Sequence, residues 1–359
     1  MSEIEDILAE HAQLDKESEL AELRPYELNP RERPDPPPNL LEKNRQQFIQ
    51  VGDTIVFTGM AKQGKTSAVV ITSASILGCT DFFTPTKQGA KVLYFDTEQS
   101  EDDCLRVSDY IHRLMGWDVN ERNPRFRFFH YRCAEKMGEN GEPEPLKPYE
   151  ILAQIETEIM LLRPDAVVLD GCTDLMEEGI NDIGESVRLV RKLLALCSKY
   201  QFALITIVHQ NQGSSIEEPR GHIGKELVRK CNAVFQVKKH KQGDDYYFTV
   251  TNKESRHRPI EDWSFRRGED GLPIPYDAPS PTEEKERKKR EELRFKIEQA
   301  LTPTDRLTYS ELYKRIMQVL GASVATAKRY VSEATKAGII SLSGGIYTLP
   351  EPTPEHPPQ

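Results

Sequence analysis

The stretch "VGDTIVFTGMAKQGKTSAVVIT", residues 51–72, decides how the rest of the chain reads. An apolar run at 55–57 ends in a glycine-bounded loop, and Lys65-Thr66 opens a segment of helical composition. Gly59, Met60, Ala61, Lys62, Gln63, Gly64, Lys65 and Thr66 together fit G-x-x-x-x-G-K-[ST]. Each part of that pattern has a physical reason. The glycines let backbone N–H groups converge on β- and γ-phosphates where a side chain would collide. Lys65 brings a mobile positive charge, the Thr66 hydroxyl suits Mg²⁺, and Ser67 continues the cradle into a helix N-terminus. A strand before the loop and a helix after it are the context such a cradle needs, so ATP with Mg²⁺ is the expected ligand.

A phosphate loop works with a carboxylate on the metal side. "RPDAVVLDG" (163–171) supplies Asp170 where an apolar strand emerges, which is the place for a Mg²⁺-orienting aspartate. Many ATPases put a glutamate directly after it, but here that position is Gly171. The group that primes the attacking water must then come from elsewhere. "KVLYFDTEQS" offers Glu98, just past the strand that follows the loop's helix, with Asp96 as its rival. The next buried strand ends in "HQNQG". His209 or Gln210 is therefore a candidate γ-phosphate sensor at the carboxyl end of a parallel strand.

Bulk composition narrows the class. A length of 359 residues allows a large core and a second, smaller domain. No apolar run approaches the roughly 20 residues of a membrane span. The opening "MSEIEDILAEHAQ" is acidic and unlike a secretory signal. The six cysteines include no C-x-x-C pair, which points away from zinc or a disulfide framework and toward a reducing cytoplasm. The net charge of −10 hides an asymmetry. Residues 1–40 hold 11 acidic and 4 basic residues, whereas residues 283–350 hold 13 basic and 9 acidic. Only the later region is electrostatically suited to phosphate backbones.

Along the chain, an acidic helix is expected near the start, and then "RPYELNPRERPDPPPNL" (24–40) forces extended chain through its six prolines. Strands are expected at 54–58, 91–96, 125–131, 166–170, 203–209, 233–238 and 246–252. Helices are expected at 65–77, 102–114, 148–162 and 183–200. Continuous apolar runs such as "ALITIV" suit a mostly parallel sheet covered on both faces. The reading is an α/β P-loop core over 40–267 after an N-terminal segment 1–39. A linker at 268–285, a small winged-helix domain at 286–350 and a tail at 351–359 complete the chain.

"GMAKQGKTS", "YFDTEQS", "VVLDGCTDL" and "IVHQNQGSSIEEPRGHIGKELVRKCNAVFQV" together resemble the RecA/DnaB-type P-loop ATPases. The likeness is to the RepA-like hexameric helicases of plasmids, phages and mobile elements, an AAA-type ATPase group, and it covers about residues 40–267. It implies a RecA-like fold and a ring, usually a hexamer, with ATP between subunits and single-stranded DNA in a central pore. It also implies an arginine from the neighbouring subunit. "YYFTVTNKESRHRP" (246–259) ends in Lys253, Arg256 and Arg258, with Arg256 or Arg258 as the finger and Lys253 beside the nucleotide. Loops at 172–184 and 212–224 would line the pore. The first is acidic, so Arg220, Lys225 and Arg229 are the better DNA-contacting candidates. In "SVATAKRYVSEATKAG", a winged-helix recognition helix would present Thr326, Lys328 and Arg329 to duplex DNA, or the module would serve protein contacts. A replicative-helicase-type motor is the leading expectation. A non-translocating DNA-binding ATPase is the alternative, and a regulator with a vestigial site is the third.

Overall fold

The computed structural model describes residues 35–211, 218–243, 245–256, 258–279 and 281–350. The acidic helix expected near the start and the tail 351–359 lie outside the described residues. The chain divides into two units, the first ending at Pro275 and the second beginning at Tyr276.

The first unit starts with a hairpin, β1 (Asn39–Lys43) and β2 (Gln46–Gln50), which the sequence reading missed. Its turn residues Asn44 and Arg45 both have positive φ, 50° and 62°, as a two-residue hairpin turn requires. An arginine in that conformation is uncommon, so the turn carries no Asn-Gly signal. Next come β3 (Thr54–Gly59), α1 (Lys65–Leu77), the short β4 (Thr84–Pro85), β5 (Val92–Asp96), α2 (Glu101–Leu114) and β6 (Phe126–His130). A small hairpin, β7 (Glu135–Met137) and β8 (Pro143–Pro145), precedes α3 (Pro148–Leu162), β9 (Ala166–Asp170), α4 (Ile183–Tyr200), β10 (Ala203–His209) and α5 (Gly221–Lys230). The unit closes with β11 (Ala233–Gln242), β12 (Asp245–Ser255), β13 (Trp263–Arg267) and β14 (Pro273–Pro275).

The principal sheet has nine strands in the order β14-β13-β12-β11-β3-β10-β9-β5-β6. From β11 to β6 all neighbours pair parallel, and β12, β13 and β14 extend the sheet antiparallel. With the phosphate-loop strand central and flanked by β10 and β11, this is a RecA-like P-loop α/β core.

Alternation along the buried strands feeds two cores. Ile55, Phe57, Val92 and Tyr94 face one side, under α1 and the Val107–Ile111 face of α2. Val56, Leu93, Phe95 and Leu169 face the other, beneath α3, α4 and α5. In α3, Ile151, Ile155 and Ile159 recur every four residues and form one buried stripe. Each such side chain contributes about 1.5–3 kcal/mol when fully buried. Local signals set the helix starts. Ser100 Oγ accepts the Asp103 N–H to cap α2, and Asp182 Oδ1 accepts the Glu185 N–H to cap α4.

The sheet runs past the expected boundary at 267, because β14 pairs with β13 through Phe265–Arg267. The expected linker 268–285 therefore contains a strand as well as the start of the next helix. The second unit comprises α6 (Pro281–Ala300), β15 (Leu307–Thr308), α7 (Tyr309–Leu320), α8 (Val324–Lys336), β16 (Ser341–Ser343) and β17 (Ile346–Thr348). Its strands form a small antiparallel sheet ordered β15-β17-β16, turned at Gly344-Gly345. Ile297, Leu312, Ile316, Val331 and Ile340 form its core. Among the described residues no helix is long and apolar enough to cross a membrane.

Candidate functional site

At the carboxyl ends of the parallel strands, β3 turns into the loop 60–64 and α1 begins at Lys65. The loop glycines answer to neighbours as well as to a ligand. A β-carbon on Gly59 would stand 2.6 Å from the Val237 carbonyl oxygen, and one on Gly64 (φ +86°) 2.6 Å from the Phe248 ring. Lys65 is buried and folds back, its Nζ donating to the carbonyls of Gly59 (2.9 Å) and Met60 (2.7 Å). Burial lowers its pKa to about 8, opposed by the nearby carboxylates of Asp170 and Glu98. Gln63 turns outward, its Oε1 accepting the Lys239 N–H of β11 at 2.5 Å. Arg267 donates to Ser67 Oγ (3.1 Å) and lies over the Phe248 ring, 5.4 Å from its centroid.

Asp96 and Asp170 end adjacent strands and stand side by side in register. Tyr94 Oη donates to Asp170 Oδ2 at 3.1 Å, and Gln99 Nε2 donates to the same oxygen at 3.2 Å. Burial first, then the charges of Asp96 and Glu98, push Asp170 up to about 8. Asp96 is committed to the turn that follows it, its Oδ1 accepting the N–H groups of Glu98 (3.0 Å) and Gln99 (2.8 Å). That geometry makes Asp96 a holder of the turn and leaves Glu98 as the carboxylate facing the cleft. Glu98 Oε2 lies 3.4 Å from His209 Nε2, and hydrogen bonding to that imidazole is the largest cause of its lowered pKa.

These groups converge on a cleft of ≈ 720 Å³ whose wall includes Lys65, Thr66, Glu98, Asp170, His209 and Arg267. The structure thus brings together the loop, both carboxylates and His209. Gln210 stays beside it, buried, its backbone N–H donating to the Gly59 carbonyl (3.2 Å). Lys253 and Arg256 are not in this cleft. Ser255 pairs with Ala233 and Arg256 N–H donates to Asn232, next to the start of β3, so Arg256 sits toward the opposite end of the sheet, while Lys253, level with Val234 and Phe235, lies about midway along β3. Arg220 precedes α5, Lys225 pairs with Glu218 (3.1 Å), and Arg229 holds Glu226 through two hydrogen bonds. Part of the second expected pore loop, 212–217, lies outside the described residues, and 221–224 is the first turn of α5. In the second unit Thr326 helps close its own helix cap with Ser323, while Lys328 and Arg329 are exposed.

Sequence reasoning overlooked Tyr94, Gln99 and Arg267. Polar residues in "YFDTEQS" were the available signal for Gln99; Arg267 is far away in sequence and arrives only through strand order.

No curated protein matches the chain. Among solved structures, a KaiC-like protein from the hyperthermophilic archaeon Pyrococcus horikoshii OT3 is similar at 16% identity and a TM-score of 0.43, over 67% of this chain and 94% of that one. The family described as "AAA domain" matches residues 17–215, more than half of the chain, and the chain belongs to that family of P-loop ATPases.

Proposed function

We propose that this chain is a Mg²⁺-dependent ATPase that works as an oligomer on DNA, in the manner of a RepA-like replicative helicase of a plasmid, phage or mobile element. The observation that carries the reading is the cleft in which Lys65, Thr66, Glu98 and Asp170 converge on one another, with Arg256 outside it. If Arg256 serves hydrolysis, it does so across a subunit interface, from a second copy.

Lys65 and the loop N–H groups would hold the phosphates, with Thr66 and Asp170 as the residues placed to hold Mg²⁺. Mg²⁺ held there would supply neutralisation of the charge that develops on the phosphates. Glu98 accepts a proton from water as the water oxygen bonds to the γ-phosphorus. The bond from phosphorus to the bridging oxygen breaks, leaving ADP and phosphate. His209 sits between Glu98 and the loop that ends at Arg220, whose N–H donates to the His209 carbonyl (2.7 Å). Arg220, Lys225 and Arg229 would meet single-stranded DNA in the pore of a hexamer, and α8 would present Lys328 and Arg329 to a duplex as part of a winged helix. A cytoplasmic setting suits this work.

A second reading is favoured by the acid-rich segment after Asp170, which carries Asp174, Glu177, Glu178 and Asp182. Such a loop repels a phosphate backbone. That supports a non-translocating ATPase that binds DNA through its second unit. Strand displacement on a forked substrate, with and without ATP, separates the two: unwinding supports the motor, and duplex binding with turnover but no unwinding supports the switch.

A further inference from the structure

Gln99 touches Asp170 and Asp96 at once. Its side-chain Nε2 donates to Asp170 Oδ2 (3.2 Å) and to Asp96 Oδ2. Both partners are acceptors, so the amide nitrogen, not its oxygen, must face them. The Gln99 N–H donates to Asp96 Oδ1 (2.8 Å), and His130 Nε2 lies 3.0 Å from the Gln99 carbonyl oxygen, which fixes the proton on that imidazole nitrogen. One residue thereby links three adjacent strand ends, those of β9, β5 and β6. Its neighbour Glu98 rides on the same turn, its own N–H held by Asp96 at 3.0 Å.

The consequence for Asp170 is directional. Tyr94 Oη and Gln99 Nε2 both donate to Oδ2, so Oδ1 is the oxygen left for the cleft. Two buried carboxylates also stand side by side there, and the amide dipole between them offsets their repulsion. We infer that Gln99 is a positioning residue that aims Asp170 at the metal position and holds Glu98 at a fixed offset from it. It acts through these two residues. This inference rests on the Mg²⁺–ATPase reading above and says which residue sets that site's metal geometry.

The test uses the full chain with Gln99→Leu, which keeps the bulk and removes the donors. ADP binding is measured by calorimetry twice, in EDTA and in saturating Mg²⁺. The expected result is wild-type affinity in EDTA and about tenfold weaker binding in Mg²⁺, the usual scale for losing a partner of a metal ligand. The steady-state KM for Mg²⁺–ATP rises by a similar factor, because the Mg²⁺-dependent part of ground-state binding is what is lost. Equal loss in EDTA and in Mg²⁺ overturns the inference, since that is the mark of general structural damage. An unchanged Mg²⁺ gain overturns it too. Should Gln99→Leu not fold, Gln99→Asn, one methylene short of the bridge, is read in the same way. If the wild-type chain binds no ADP in either condition, it is the ATPase reading that falls.

Discussion

Gly171 lies beneath Thr97: a β-carbon at Gly171 would stand 2.2 Å from Thr97 Oγ1 and 3.2 Å from Glu98 Cβ. Thr97 Oγ1 donates to the Gly171 carbonyl (2.7 Å), and Gly171 itself has φ +90°. The turn that delivers Glu98 therefore occupies the space a glutamate after Asp170 would need. The glutamate on the neighbouring turn, proposed as the base, and the glycine after Asp170 are one structural feature seen from two positions. Gly171→Ala is expected to destabilise the fold by at least about 2 kcal/mol, from left-handed strain plus the collision. Chemical denaturation measures it, and an unchanged midpoint contradicts this packing.

His209 is expected to set the acid side of the activity profile. As the proposed base Glu98 would work deprotonated, and its pKa is lowered first by hydrogen bonding to His209. With His209→Leu that stabilisation of the carboxylate is gone, Glu98 takes up its proton at higher pH, and the acid limb of kcat moves up. A kcat–pH profile whose acid limb stays in place, or moves down, would show that another group controls it.

Asp170 makes the nucleotide-free protein pH-sensitive. Burial and the neighbouring carboxylates push its carboxyl up to about 8 in the folded chain, from the ordinary 3.8 of an aspartate. The folded state holds that proton more tightly, so this group's effect is to lower stability as pH climbs through that window. Asp170→Asn is expected to be the more stable protein at pH 8, by at least about 1 kcal/mol, with the advantage shrinking toward pH 5. Urea titrations at both pH values, in EDTA, decide it; a constant gap counts against the buried charge.

Placement of Arg256 away from its own cleft makes an interface test possible. Arg256→Ala is expected to lower kcat by about 10³-fold or more, as for loss of a trans arginine. Mixing it with Lys65→Ala chains should restore some turnover, because an intact loop in one copy meets an intact arginine in another. Absence of any recovery from mixtures that exchange subunits would remove the trans role.

Most strands that frame the cleft were legible as continuous apolar runs, and α2 and α4 as helical stripes with capping residues, whereas α5 was not anticipated. Lys65, Glu98 and Asp170 followed from those ends. What stayed hidden depended on distant partners. β1 and β2 turn through Asn44-Arg45 without a glycine. β14 carries prolines within the stretch read as linker, yet it pairs with β13, and β13, inside the expected core, was not read as a strand although Trp263 and Phe265 are buried. Gly64 looked like a concession to phosphate, and only strand order brings Phe248 against it. Gln99 needed the register of Asp96 with Asp170.

The most direct test of the account is ATP turnover by the wild-type chain and by Glu98→Gln, each with and without single-stranded oligo(dT). The account predicts that DNA stimulates the wild type, and that Glu98→Gln still binds ATP but turns over about 10²–10⁴-fold more slowly in both conditions. Hydrolysis by Glu98→Gln at the wild-type rate would contradict the assignment of the base. Wild-type turnover indifferent to DNA would contradict the motor.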